Sequence, residues 1–171
     1  MEKLFEKLSS YNLLNNLLPG VIVSTIIIKM MGYFSFEFNP IESLFLYYFV
    51  GMIISRISSL IVEPVCKHSF FGYCFVRYAR YDLYLEAIKT DPSISILLET
   101  NNMYRTFLSG VLIILFFEIY SIVEIAGKTF FGEKLTLIII IGMILVFAFS
   151  YRKQTSYIRK RVLKYTGNTI N

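Results

Sequence analysis

The chain has little of what most enzymes and metalloproteins depend on. Its 171 residues include one histidine, two cysteines and no tryptophan, and 17% of them are charged, against about 25% in an ordinary soluble domain. The sequence also lacks a glycine-rich phosphate loop and a nucleophile–base arrangement. We therefore expect a protein that is not an enzyme and that uses no cofactor.

The two cysteines and the histidine lie close together in the sequence, as Cys66, His68 and Cys74. A structural zinc site needs four ligands at a regular spacing, and the chain has no second histidine to complete one. The other interpretation is that these are small buried residues where a loop meets a membrane. We expect no metal site.

Long apolar blocks take the place of the missing charge. Hydrophobic residues make up 56% of the chain and are concentrated in four blocks, each near the ~20 residues that a membrane-spanning helix needs. The sequence therefore predicts an all-α, polytopic membrane protein of one domain, with four transmembrane helices and helical cytoplasmic extensions. The predicted spans are residues 13–33, 41–62, 106–126 and 135–151.

Lysine and arginine are distributed unequally between the segments that join these spans. The stretch SFEFNPIE between the first two spans has neither, whereas residues 64–105 hold five and residues 152–171 hold six. Positive loops face the cytoplasm. We therefore predict a helical cytoplasmic loop at 64–105, a basic cytoplasmic tail at 152–171 and both termini on the cytoplasmic side of a bacterial inner (plasma) membrane.

Two of the helices are expected to extend beyond the membrane. The run from Pro92 to Ala126 predicts one helix of about 35 residues, which at 1.5 Å per residue exceeds a ~30 Å hydrocarbon core. Asp91 before Pro92 is the pattern of a helix cap. The tail after the fourth span is expected to continue its helix, and Pro64 is expected to end the second span. A separate helix is predicted at 77–89, with one face formed by Tyr78, Tyr81, Leu85 and Ile88.

Ionisable residues inside the spans are costly and usually face protein, water or a paired charge. Lys29 and Glu118 lie at a similar depth, about 15–18 Å from the cytoplasmic ends of their helices, so we expect them to pair. Arg56 shares a helix face with Ser59 and Glu63. A neighbouring strip of small residues suits close helix contact and predicts that span two is an interface helix: Gly51, Ser55 and Ser58.

Three interpretations of Arg56 stay open. It extends toward Glu63 and the headgroups, it lines a polar cavity, or it binds an anionic ligand. A second group of candidate residues is the basic set predicted to contact a partner or lipid on the cytoplasmic side: Arg77, Arg80, Arg159, Lys160, Arg161 and Lys164. These residues suit a topology anchor beside anionic lipid or a contact with an acidic partner. No pattern predicts direct binding to nucleic acid.

The segments SRISSLIVEPV and YLEAIKTDPSISILLETNNMYRTFLSGVLI resemble a group of small bacterial four-span proteins of anti-phage defence loci, with the membrane-subunit family of the Kiwa system as the named possibility. The resemblance covers roughly the middle half of the chain. It implies homotetramers whose cytoplasmic surface docks a soluble, nucleic-acid-binding partner. It carries no site residue over to this chain.

The first functional hypothesis is an oligomeric membrane scaffold or sensor, with a tetramer as the first guess, that recruits a cytosolic protein in antiviral defence. The second is a pore-forming effector or channel, with Arg56, Lys29 and Glu118 along its path. A phage holin is a third, although a 40-residue ordered loop is more than lysis requires. A pore predicts that Arg56→Ala or Glu118→Gln changes conductance while assembly persists, and a scaffold predicts lost assembly or no effect on ion flux.

Overall fold

A computed structural model describes residues 13–31, 39–70, 73–124 and 130–165. The start of the chain, the ends of the predicted spans 13–33 and 106–126, and the tail beyond Tyr165 lie outside these residues. In chain order the described elements are a π-helical turn (Leu13–Leu17), α1 (Leu18–Met31), α2 (Pro40–Ile57), a second π-helical turn (Ser58–Val62), α3 (Glu63–Lys67), β1 (Ser69–Phe70), β2 (Tyr73–Cys74), α4 (Tyr81–Thr90), α5 (Ser93–Glu124) and α6 (Phe130–Tyr165).

The described residues are helical except for short connections and one antiparallel two-residue hairpin, in which Ser69 pairs with Cys74. The all-α fold class is thus confirmed. Three helical segments are long and apolar enough to cross a membrane, and the first helix is apolar but shorter, at Asn15–Met30. The three long segments are Pro40–Lys67, Ser93–Ser121 and Thr136–Tyr165.

The two longest helices have the lengths that the predicted extensions require. α5 runs without interruption for 32 residues and α6 for 36, so each is about 50 Å long at 1.5 Å per residue. That length exceeds a ~30 Å hydrocarbon core by several turns. The second span also continues past Pro64, against our expectation, because a π-helical turn precedes the proline. The amide of Glu63 donates to the carbonyl of Ser58, five residues earlier.

Asp91 separates α4 from α5 and caps α5, as predicted. Its carboxylate accepts a hydrogen bond from the backbone amide of Ser93 at 3.1 Å and a second from the Ser93 hydroxyl. Arg161 on α6 donates to the other carboxylate oxygen at 2.5 Å. The bonds from Ser93, and then the one from Arg161, lower the pKa of Asp91. Its stabilising contribution is therefore complete above the ordinary pKa near 4 and is lost as the pH falls through the lowered value.

The apolar core lies where α1, α2, α5 and α6 meet. Its buried side chains are Val23, Ile54, Val111, Ile114 and Ile140. Two glycines let α1 and α2 approach closely. A Cβ atom on Gly51 would overlap the backbone carbonyl of Asn16, and one on Gly20 would overlap that of Tyr47. The contact predicted for the small strip of span two is thus made within one chain, between α2 and the first helix.

A second, smaller core joins α4 to residues 93–102 of α5 and residues 151–165 of α6, and we call this three-helix unit the head. Its buried residues are Ala87, Ile94, Ile158 and Val162. α4 begins at Tyr81, so the prediction of a helix over 77–89 was wrong at its start. Residues 76–80 run without helix because Tyr78 reaches across to α6.

The predicted face of this helix was right at Ile88 and wrong at Tyr81 and Leu85. Tyr81 is 74% exposed and Leu85 is 45% exposed, whereas Leu83, Tyr84 and Ile88 pack on the buried core of the head. The apolar residues of α4 form one broad face, and the part of it that meets α5 and α6 is centred on Leu83, Tyr84 and Ala87. Spacing alone could not tell which part of so broad a face is buried.

Candidate functional site

A polar cavity opens where the first π-helical turn, α2 and α5 meet, and we call it the Arg56 cavity. Its volume is about 400 Å³. The residues that line it are Asn15, Asn16, Tyr48, Met52, Ser55, Arg56, Ser59, Asn102 and Arg105. The structure thus brings Ser55, Arg56 and Ser59 of the predicted interface set to one wall. It adds a second guanidinium group, from Arg105, which the sequence analysis had treated only as a loop charge.

The side chain of Asn15 contacts two neighbouring helices at the wall of this cavity. Only 4% of its surface is exposed. Its carbonyl oxygen accepts a hydrogen bond from the hydroxyl of Thr106 on α5 at 3.2 Å, and its amide lies 3.5 Å from the hydroxyl of Ser55 on α2. Buried polar groups need such partners. One asparagine side chain therefore connects the first helix to both neighbours.

The carboxylate of Glu63 lies beside this cavity and contacts two basic residues. Arg105 donates to one of its oxygens, and Lys67 lies 2.5 Å from the other. The side chains of Arg105 and Glu63 are 12% and 20% exposed, whereas Lys67 is 44% exposed. The ion pair with Arg105 joins α3 to α5 in a largely buried position. Breaking it should therefore cost more stability than breaking the exposed pair with Lys67.

The expected approach of Arg56 to Glu63 does not occur in the structure. Glu63 pairs with Lys67 and Arg105 instead. The cause is the π-helical turn at Ser58–Val62, which inserts an extra residue between the two side chains. One extra residue rotates the following helix by about 100° and moves Glu63 off the face of Arg56. Arg56 is exposed and lines the cavity.

The expected ion pair between Lys29 and Glu118 is not formed either. Neither residue is in an ion pair among the described side chains, and Lys29 is exposed while Glu118 is half-buried. The reason is the rotation of α1 about its own axis. Lys29 lies on the same face of α1 as the exposed residues Leu18 and Ile22, away from the core around Val23.

A buried polar network that the sequence analysis missed joins α5 to α6 within the head and anchors residues 76–80 to α6. The hydroxyls of Tyr78 and Tyr151 share a hydrogen bond, and burial raises the pKa of Tyr78. Next to them, the Thr155 hydroxyl donates to the side-chain oxygen of Asn101 at 3.0 Å. The signal in the sequence is a polar residue on each long helix, Asn101 and Thr155, at positions that are almost fully buried.

The predicted basic contact residues divide into two groups. Arg161 and Arg80 form ion pairs within the chain, with Asp91 and Asp82 respectively. The others lie within ion-pair distance of no carboxylate among the residues that the structure describes, and they point outward or are half-buried: Arg77, Arg159, Lys160 and Lys164. From Arg152 to Lys164, α6 carries six basic residues and no acidic one. Three of them are exposed and share one side of the helix, and we call this side the basic face of α6: Lys153, Lys160 and Lys164.

No cluster of three histidine, cysteine, aspartate or glutamate side chains able to hold a metal occurs within the described ranges. Cys66 and Cys74 are free thiols there. The Cys74 sulfur lies 2.9 Å from the carbonyl oxygens of both Lys67 and Val76, so it closes the hairpin locally.

Comparison of the chain with protein-family models, curated proteins and solved structures found no match. The class that the fold defines is a helical protein whose apolar helices are compatible with a membrane and whose longest helices continue into a polar head.

Proposed function

We propose that the chain is a four-span protein of the bacterial inner membrane, with both termini in the cytoplasm, that assembles into a homo-oligomer and recruits a cytosolic protein. It acts as a non-enzymatic scaffold or sensor in antiviral defence. The head is the surface that holds the partner. The Arg56 cavity lies between the head and the apolar core.

The observation that carries this proposal is the continuity of α5 and α6. Each helix passes from the apolar core around Val111 and Ile140 into the head without a break. The head has its own buried core and is fastened by the bonds between Asp91 and Arg161. A unit held this firmly on two helices keeps a fixed position above the membrane, which is what a docking platform requires.

The charge of the head indicates the chemistry of the partner. The basic face of α6 presents three exposed lysines, none of which is in an ion pair with a described carboxylate. A partner with an acidic surface would be attracted to such a face and oriented by it. No basic–aromatic recognition pattern supports direct contact with nucleic acid.

The apolar surface that a single chain leaves exposed supports the membrane placement and the oligomer. In a single chain, 11% of the most apolar stretch of the α6 span is buried, and 22% of the most apolar stretch of the α2 span. The remaining apolar surface is available to lipid and to further copies of the chain, for which a tetramer remains our hypothesis.

A pore is the second candidate function, and the Arg56 cavity is the observation that favours it. Two arginines and several asparagine and serine side chains line about 400 Å³ of polar space beside the apolar core. A water path would need such a lining. Lys29, however, lies on the opposite, exposed face of α1, and it does not contribute to the lining of this cavity.

Reversing the charge at the end of α6 is expected to abolish recruitment. In Lys160→Glu/Lys164→Glu the basic face loses two positive charges and gains two negative ones, so an acidic partner is repelled. The measurement is affinity capture of cytosolic proteins from the native host by the membrane-embedded protein, with quantitative mass spectrometry. We expect a specific protein to be captured by the wild type, with capture weakening as salt is raised, and to be lost from the variant.

Lys89→Glu is the matched control, because Lys89 is an exposed lysine on α4 of the same head, away from the basic face. It should capture the same protein as the wild type. Recruitment by the basic face would be disproved by equal capture in the wild type and both variants, or by the absence of any specific protein from the wild type.

A further inference from the structure

Three arginines line one pocket at the edge of the head. The pocket has a volume of about 510 Å³ and lies between the segment after β2 and α6. It is lined by Cys74, Phe75, Arg77, Arg152, Ser156 and Arg159. No carboxylate is among these residues, and none of the three arginines is in an ion pair within the part of the chain that the structure describes.

The backbone holds Arg77 in place from both sides. Val76 before it is 1% exposed, and its amide donates to the carbonyl of Cys66 at 3.0 Å. Tyr78 after it shares a hydrogen bond with the buried Tyr151. Arg77 is therefore positioned by two anchored neighbours, unlike a charge on a free loop.

The other side of the pocket is one face of α6. Arg152, Ser156 and Arg159 follow each other at i, i+4 and i+7, which places them in one row along the helix. The guanidinium of Arg152 lies 5.3 Å from the ring centre of Phe75, and that ring packs against Phe149 at 6.2 Å between centres. The aromatic contact limits the directions in which Arg152 can extend.

Three neighbouring cations without a carboxylate repel each other, and a bound anion removes that cost. Guanidinium groups match phosphate oxygens with paired hydrogen bonds, and a serine hydroxyl adds one more donor. Carboxylate partners that would compete for these donors are missing from the lining. We propose that the pocket of Arg77, Arg152 and Arg159 binds the phosphate group of a phosphate ester.

The position of the pocket favours a phospholipid headgroup as the source of this phosphate. Arg152 directly follows the apolar part of α6, so it lies at headgroup depth in the proposed orientation. On the membrane side, Val146 is 63% exposed and Phe149 is 56% exposed, which provides apolar surface for an acyl chain. A soluble phosphate ester such as a nucleotide offers the same group from the cytoplasm. The site requires no protein partner, so it is tested apart from the recruitment proposed above.

The test is native mass spectrometry of the purified protein in mild detergent, titrated with phosphatidylglycerol, with phosphatidylcholine and, in a separate arm, with inorganic phosphate and ATP. We expect preferential binding of phosphatidylglycerol to the wild type. Arg77→Gln and Arg159→Gln should each weaken it about tenfold or more, because each removes charge-assisted hydrogen bonds. Arg159→Lys keeps the charge but loses the paired hydrogen bonds of a guanidinium group. Its affinity for phosphatidylglycerol should therefore lie between that of the two glutamine variants and that of the wild type.

Lys153→Gln is the matched control. It removes the same charge from the same helix, next to Arg152, but Lys153 does not line the pocket. It should change the affinity less than about twofold. Melting curves without added anion identify a variant that fails to fold. If phosphate or ATP binds with the same dependence on Arg77 and Arg159 and displaces the lipid, the phosphate site stands with a soluble source. The proposal is overturned if Lys153→Gln weakens binding as much as Arg159→Gln, or if no phosphate ester binds preferentially.

Discussion

Gly51→Ala is expected to separate the first helix from α2 and to destabilise the protein severely. An added methyl group at this position overlaps the backbone carbonyl of Asn16, which cannot rotate aside as a side chain could. Overpacking costs typically 1–3 kcal/mol, and a backbone obstacle lies at the upper end, at about 3 kcal/mol. The same shift would pull Asn15 away from Thr106 and Ser55, because Asn15 directly precedes Asn16 in the chain.

Gly142→Ala on α6 is the control for this prediction. No atom lies within 4 Å of a Cβ added there, and alanine is the better helix former by about 1 kcal/mol. Thermal unfolding of both variants in the same detergent is the measurement, with yield from the membrane fraction as a second readout. Gly51→Ala should melt well below the wild type, and Gly142→Ala at or slightly above it. Equal melting temperatures for both variants would disprove the close crossing of α1 and α2.

Glu63→Gln is expected to be the most damaging charge substitution in the described helices. It leaves Arg105 largely buried, at 12% exposure, without its carboxylate. Breaking a buried pair from one side costs about 3–5 kcal/mol, and the partial exposure of Glu63 places this case at the lower end, about 3 kcal/mol. Since this ion pair forms the edge of the Arg56 cavity, its loss should also loosen the link between α3 and α5.

Lys67→Gln tests the exposed ion pair of Glu63 apart from the buried one. Lys67 contacts the same carboxylate but is 44% exposed, so its loss should cost under about 1 kcal/mol. In the double variant Glu63→Gln/Arg105→Gln no charge is left buried, and part of the lost stability should return. The measurement is the free energy of unfolding of all four proteins. A cost for Lys67→Gln equal to that for Glu63→Gln would contradict the assignment of the buried contact to Arg105.

The long helices could be predicted because their signals are local. Gly110 is the one residue unfavourable to a helix in the described run after Pro92, and Asp91 is in the position of a cap, so α5 follows from the sequence alone. The apolar content of the helices predicted a fold compatible with a membrane in the same way. These features do not depend on which residues meet across the bundle.

The contacts of the charged residues could not be predicted because they depend on rotation about the helix axes. Equal depth was used to pair Lys29 with Glu118, but Lys29 lies on the exposed face of α1. Regular helical spacing was used to align Arg56 with Glu63, and the π-helical turn at Ser58–Val62 moved Glu63 to Arg105. Nothing in the residues SSLIV marks them as a π-helical turn, so the error followed from the α-helical geometry that was assumed.

Buried asparagines and threonines gave a signal that the sequence analysis did not use. Asn15, Asn101, Thr106 and Thr155 lie within or beside apolar helices and are almost fully buried. In such positions polar side chains contact each other across helices, as Thr155 and Asn101 do. The pairings still require the structure, because several combinations are compatible with the spacing.

The measurement that tests the scaffold most directly is ion flux in liposomes from the purified oligomer, made on the wild type and on Arg56→Ala. Size determination of the same samples shows whether both are intact and of one oligomeric state. A scaffold predicts a defined oligomer with no flux above that of empty liposomes in either protein, with or without the recruited partner. Flux through the wild type that Arg56→Ala abolishes in an intact oligomer would contradict it and would make the Arg56 cavity part of a conducting path.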